Sequence, residues 1–127
     1  MRTLAIAYGG SCHAKYWSNK TITFAELCER LKTTIRTPET VEEYPNLPKA
    51  ERDRVKDKGG FVGGVLRKGR RSGENVVGRS IGTLDGDNAE PEFIDIYTVT
   101  HRYASCLYTT HGHTLDAPRV RILFPFT

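Results

Sequence analysis

Leu84-Asp85-Gly86-Asp87 sets two carboxylates one residue apart. Along a strand, residues i and i+2 project to one face, so Asp85 and Asp87 can converge on a single ion. Mg²⁺ and Mn²⁺ take such oxygen ligands and fill the rest of their shell with water and substrate phosphates. In nucleotidyl transfer, ions held this way activate the attacking hydroxyl and stabilise the leaving pyrophosphate. The same residues also suit an Asp-Gly turn whose acids face only solvent. Further along, Tyr108-Thr109-Thr110-His111-Gly112-His113 precedes Pro118-Arg119-Val120-Arg121. Arg119 and Arg121 share a strand face, and paired guanidinium groups fork onto phosphate oxygens. His111 or His113 can donate to a triphosphate or carry a proton near neutral pH. With no ligand, the same stretch reads as a hairpin with a polar face. A two-histidine, tyrosine-nucleophile nuclease is a rival chemistry. It is disfavoured by Gly112 between the histidines and by the lack of a tyrosine on an evident downstream helix.

The positive charge is concentrated. Lys49 to Ser80 holds ten Lys/Arg against four acids, while the rest of the chain has nine basic and eleven acidic residues. The segment therefore carries +6 and the rest of the chain −2, so the whole positive excess of this +4 chain lies in one stretch. Lys56, Lys58, Arg67, Lys68, Arg70, Arg71 and Arg79 are its candidate contacts to a polyanion, most simply DNA or RNA. A solvated basic loop is the alternative.

Several elements must position these groups. Residues 3–8 read as a strand ended by Gly9-Gly10-Ser11. Phe24, Leu27, Leu31 and Ile35 recur at helical spacing, and Thr23 with Glu26 has capping-box form, which predicts a helix over about 23–36. Pro38, Pro45 and Pro48 interrupt the next stretch; residues 37–44 and 48–57 read as two short helices. Residues 59–66 and 76–84 read as two strands of a hairpin with a basic tip at 67–75. Residues 90–103 suit a helix, although Tyr97-Thr98-Val99-Thr100 also favours strand. Residues 104–110 and 119–126 are the last strands, joined through a turn at Leu115-Asp116-Ala117-Pro118. The pattern is α+β with a mainly antiparallel sheet and a few helices, in a single domain over residues 1–127.

Hydrophobic residues at 38% and charged residues at 27% are ordinary for a globular domain. No apolar run approaches the ~20 residues of a bilayer span, so no membrane partner is expected. The start is too short and too soon broken by Gly9-Gly10 for a signal peptide. Cys12, Cys28 and Cys106 are odd in number and widely spaced, which argues against a disulfide framework or zinc site and for a reducing cytoplasm.

Taken in order, Lys56-Asp57-Lys58-Gly59-Gly60-Phe61-Val62-Gly63-Gly64, Arg79-Ser80 leading to Leu84-Asp85-Gly86-Asp87, and Tyr108 to Thr114 with Pro118-Arg119-Val120-Arg121 resemble a known family. The chain is similar to the N-terminal part of phage- and plasmid-type primase-polymerases of the archaeo-eukaryotic primase superfamily. The resemblance implies an RRM-like catalytic sheet, with Asp85 and Asp87 as catalytic metal ligands for Mg²⁺ or Mn²⁺. It implies that Thr109-Thr110-His111 meets the phosphates of an incoming nucleoside triphosphate, with His113, Arg119 and Arg121 beside it. It places the protein in the cytoplasm of a bacterial host. The family's third metal-binding aspartate lies on a strand beyond the histidine motif. After His113 this chain has only Asp116, in a turn. The catalytic unit is thus incomplete in these 127 residues.

Three functions stay open. One is a nucleotidyltransferase domain making primers from nucleoside triphosphates on DNA or RNA. The second is a non-catalytic primase-like protein that binds a protein partner, such as a phage inhibitor of a host defence factor. The third is a plain nucleic-acid-binding module.

Overall fold

The computed structural model describes residues 2–126. Among these residues it contains three antiparallel sheets and three α-helices, an α+β arrangement as the sequence pattern predicts. The first sheet has the order β2-β1-β3, from β1 (Thr3–Gly9), β2 (Ser18–Thr23) and β3 (Gly60–Val62). β4 (Gly64–Leu66) pairs only with β5 (Val76–Arg79). The third sheet has the order β6-β8-β7, from β6 (Ile81–Gly86), β7 (Cys106–Thr109) and β8 (Val120–Pro125). The helices are α1 (Phe24–Leu31), α2 (Lys49–Lys56) and α3 (Phe93–Thr100).

β1 is apolar on both faces because it runs through the middle of its sheet. Leu4 and Ile6 join Ile22, Leu27, Ile81 and Leu123 in the main core, while Ala7 packs with Trp17 and Leu66 in a second one. The main core joins three elements: β1 and β2, the inner side of α1, and one face of the β6-β8-β7 sheet. Fully burying one such aliphatic side chain stabilises by about 1.5–3 kcal/mol, so this contact is what orients the third sheet.

Four features differ from what the sequence pattern alone predicts or are left unassigned by it. First, the helix expected over 23–36 starts at its capping box but ends at Leu31. Beyond it, the β-branched Thr33-Thr34-Ile35 and then Pro38 favour extended backbone. Second, residues 37–44 form no α-helix, only turns and a 3₁₀ turn at Tyr44–Asn46. Third, Ser18–Thr23 is a strand in its own right, exposed on one edge, and its polar sequence hid it.

Fourth, the expected hairpin is split at Gly63 and Ser80. Only β4 and β5 pair with each other, while β3 joins β1 and β6 joins β8. Gly63 fits this crossing because a Cβ there would lie 2.8 Å from the Ile81 Cβ. Ser80 ties the sheets together. Its N–H donates to the Gly63 carbonyl (2.7 Å), its Oγ accepts the Ala5 N–H (3.2 Å), and its carbonyl accepts the Phe126 N–H (2.9 Å). Residues 90–103 and 104–110 shorten to α3 and β7, which is ordinary fraying at element ends.

Candidate functional site

β6 and β8 pair in register, Ile81 opposite Pro125 and Gly86 opposite Val120. One face of this ladder changes character along its length. At one end Ile81 and Leu123 are fully buried in the core. At the other, Asp85 stands opposite Arg121, and the next same-face position pairs Asp87 with Arg119. The Arg121 Nε–Asp85 Oδ1 distance is 2.5 Å and the Arg119 Nε–Asp87 Oδ1 distance is 3.6 Å. On the other side of β8, Tyr108 of β7 is the register partner of Arg121. Burial pushes the Tyr108 hydroxyl above its ordinary pKa, and a hydrogen bond from Arg121 opposes that shift. Arg121 is desolvated, yet its bonds to Asp85 and Tyr108 hold it above the usual guanidinium value.

These side chains form one wall of a cleft. The opposite wall is the end of α2 with the loop into β3. A cavity of about 510 Å³ is lined by Asp85, Asp87, Arg119 and Arg121 on one side and by Lys56 and Asp57 on the other. An adjoining cavity of about 440 Å³ brings Lys58, Tyr8 and Phe61 to Tyr108 and Arg121. His111 lines both, and also a third cavity of about 230 Å³ under residues 34–45.

The loop wall is fixed by Asp57. Its carboxylate accepts the Ser11 hydroxyl (2.7 Å), the Cys12 N–H (2.8 Å) and the Gly59 N–H (3.2 Å). The Ser11 bond first, then the Cys12 bond, holds this carboxyl well below the usual range. Gly59 has φ +82°, and a Cβ there would collide with the Gly9 carbonyl oxygen. Only glycine therefore lets the two loops meet so closely. Lys56 is held by Asp53 at 3.0 Å.

The residues expected from the sequence separate into three groups. Asp85, Asp87, Arg119, Arg121 and His111 converge in the cleft, and Lys56 and Lys58 reach it from across. His113 and Thr109 stand aside. His113 Nδ1 accepts the Arg119 N–H at 3.1 Å, within the connection from β7 to β8. Thr109 is exposed on the opposite face from Tyr108, while Thr110 lines the cleft. The basic turn lies elsewhere. Arg67 and Lys68 are exposed, Arg70 covers the ring of Tyr16 at 5.5 Å, and Arg71 covers Trp17 at 4.6 Å. Arg71 and Arg79 line a separate cavity of about 340 Å³. Tyr16, Thr37 and Tyr44 do not stand out by type or spacing. Asp57 and Tyr108 carry a signal, the Asp-Lys-Gly-Gly turn and the Tyr-Thr-Thr-His motif that they begin.

Two carboxylates with room for water are the oxygen donor set of a weakly held Mg²⁺, and in that respect the residues fit. The set is not a closed cage. Each carboxylate faces a guanidinium, and among the described residues no group of three His, Cys, Asp or Glu side chains is placed to hold an ion. Cys12, Cys28 and Cys106 are free thiols. Among the described residues no helix is long and apolar enough to cross a membrane.

Fold and cleft together define a small α+β domain with an ion-paired opening between its first and third sheets. A family model described as the VapE N-terminal domain matches residues 1–127, and the chain belongs to that family, which is phage- and plasmid-associated. No curated protein and no solved structure matches it.

Proposed function

We propose that the cleft binds a nucleoside triphosphate together with Mg²⁺ or Mn²⁺, on a domain of primase-polymerase ancestry with an RRM-like third sheet. The observation that carries this reading is the double ion-pair ladder, Asp85–Arg121 and Asp87–Arg119, on the cleft face opposite Lys56 and Lys58. Exposed ion pairs contribute about 0–1 kcal/mol to folding, so the ladder is not there to hold the sheet together. Its charges are poised for exchange. A divalent cation and a polyphosphate can separate each pair, the cation taking the carboxylates and the phosphates taking the guanidinium groups. Asp85 and Asp87 would hold the ion, which supplies charge neutralisation at the phosphates. Arg119 and Arg121 would fork onto phosphate oxygens, with Tyr108 keeping Arg121 in the sheet plane. Binding of ion and nucleotide is then reciprocal, each raising affinity for the other.

Calorimetry tests this in five arms: MgCl₂ alone, MnCl₂ alone, a nucleoside triphosphate alone, and the triphosphate with each metal in turn. Tighter triphosphate binding with metal supports the reading, and its loss in the Asp85→Asn, Asp87→Asn double variant assigns the ion to the ladder. No binding in any arm sinks it.

One observation favours a second reading. The ladder is already self-neutralised and has no third donor among the described residues. A primase-like scaffold that has given up chemistry and binds a protein partner or nucleic acid fits that balance. On this reading, activity in cells survives the double variant. The basic turn, with Arg67, Lys68, Arg70 and Arg71 around the exposed Tyr16, is the surface proposed to meet DNA or RNA.

A further inference from the structure

The core between the first and third sheets stops short of the cleft, and the rings at its edge line an opening. Leu4, Ile6 and Tyr8 alternate along β1 and share a face. Leu4 and Ile6 are buried in the main core, while Tyr8 is only half-buried. Phe61 of β3 is the register partner of Tyr8. Tyr108 of β7 joins them from the third sheet, and all three rings pack against the edge of the core without closing it. The cavity of about 440 Å³ among them is completed by Ile6, Leu27 and Leu31. Small-molecule sites of roughly 300–1,000 Å³ have such mostly apolar and aromatic walls.

Its charges differ from those of the neighbouring cavity. Arg30, Lys56, Lys58 and Arg121 line it, and no Asp, Glu, Asn or Gln among the described residues does. Asp85 and Asp87 line the adjoining cavity of about 510 Å³ instead. Lys56, Thr110, His111 and Arg121 line both. An anion at that border has cations around it, and whatever it carries into the 440 Å³ cavity meets rings and aliphatic side chains. The Tyr8 ring is already engaged, with Lys20 Nζ 5.0 Å and Arg30 Cζ 5.8 Å from its centroid. Phe61 and Tyr108 carry no such cation or ring partner among the described residues.

We propose that this cavity takes the nucleobase of the triphosphate, with Phe61 and Tyr108 as its stacking surface and the phosphates at the border of the two cavities. The proposal rests on the triphosphate reading of the ladder for where the phosphates lie. Every base has a π-face, so stacking holds a base without choosing among bases. The cavity has no carboxylate or amide side chain among the described residues to read a base edge. A base gripped by its faces also needs no template strand opposite it. If the cavity is only the open rim of the core, the base stays in water and adds nothing to binding.

The experiment compares ATP with ribose 5-triphosphate, which has the same phosphates and no base, on the full chain with MgCl₂ and no oligonucleotide. Calorimetry is expected to show ATP binding tighter by on the order of tenfold to a hundredfold, the range that base–aromatic stacking supplies. GTP is expected to match ATP. Phe61→Leu keeps the apolar volume and removes the ring. In that variant ATP affinity is expected to fall by about fivefold or more, and ribose 5-triphosphate affinity to stay the same. Phe61→Tyr keeps the ring and is expected to bind ATP as the unaltered chain does. By NMR, adenosine is expected to shift the ring resonances of Phe61 and Tyr108, and ribose 5-triphosphate is not. Equal affinity for ATP and ribose 5-triphosphate in the unaltered chain overturns the base cavity and leaves the triphosphate reading standing. Loss of both affinities in Phe61→Leu overturns it too, since the ring is then structural. A strong preference between ATP and GTP overturns binding by the faces alone. Adenosine shifts without any binding of ribose 5-triphosphate support the base cavity and end the triphosphate reading. No binding of ATP, adenosine or ribose 5-triphosphate ends both.

Discussion

The two ends of the β6–β8 ladder share strands, register and face, yet do opposite work. Ile81 and Leu123 close the core at one end, and Asp85, Asp87, Arg119 and Arg121 open into the cleft at the other. What differs is which surface lies across from them. The apolar end meets β1, β2 and α1, which expel water. The charged end meets the loop after α2, where Lys56 and Lys58 supply charge. Stability is therefore concentrated at one end and binding at the other, and substitutions at the two ends should separate the two properties.

The largest expected effect is at the apolar end. Leu123→Ala removes a fully buried side chain and should cost about 2–5 kcal/mol in urea denaturation. A loss below about 1 kcal/mol would mean that the third sheet is oriented by something other than this contact. At the charged end, Arg121→Gln should leave folding within about 1 kcal/mol, because the pair is exposed. It should nevertheless weaken triphosphate binding by roughly 10- to 100-fold, the range of a hydrogen bond to a charged group. If stability and binding fall together, the two ends are not separable.

A middle-sized effect should come from the carboxylates. The Asp85→Asn, Asp87→Asn double variant should bind triphosphate equally with and without MgCl₂, since the guanidinium groups no longer have a competing anion to release. Calorimetry at matched ionic strength reads this directly. Arg67, Lys68 and Arg70 do not line the ladder's cleft, so replacing these three should weaken single-stranded nucleic-acid binding and flatten its salt dependence, leaving triphosphate affinity unchanged. A parallel loss of both affinities would join the two surfaces.

The smallest effect concerns the cleft's loop wall. The folded-state pKa of Asp57 is depressed, first by the Ser11 hydroxyl and then by the Cys12 N–H. A carboxyl depressed by folding adds stability above its unfolded pKa, about pH 4, and that contribution is lost as pH falls through the lower folded value. The Tm difference between the unaltered chain and Asp57→Asn should thus be present at neutral pH and shrink as pH drops below about 4. A difference that stays constant down to about pH 2 would remove Asp57 as the clamp.

Local pattern in the sequence already specified several features. The capping box of Thr23 and Glu26, the apolar run of β1, and the shared face of Asp85 and Asp87 all follow from residue type at fixed spacing. Those signals depend on neighbours within a turn or a strand, which is why they are legible without a fold. Ser18–Thr23 escaped because its polar residues become a strand only when β1 offers an edge. The apparent long hairpin was misleading for a related reason. Gly63 and Ser80 look like interruptions in one ribbon, but they are where each strand leaves its partner for a different sheet.

The same division applies to the cleft. Sequence determined that Asp85 and Asp87 would share a face with one another, and Arg119 with Arg121, because strand geometry alone fixes that. Only the tertiary structure decided that the acids would face the arginines in register, that Lys56 and Lys58 would stand opposite them, and that Arg67 to Arg71 would lie apart. It also brought Thr37 and Tyr44 to His111. Those outcomes depend on how β6 and β8 align and on where α1 ends. Both are settled by burying Ile81, Leu123 and Leu27 together, and no short stretch of the chain encodes that contact.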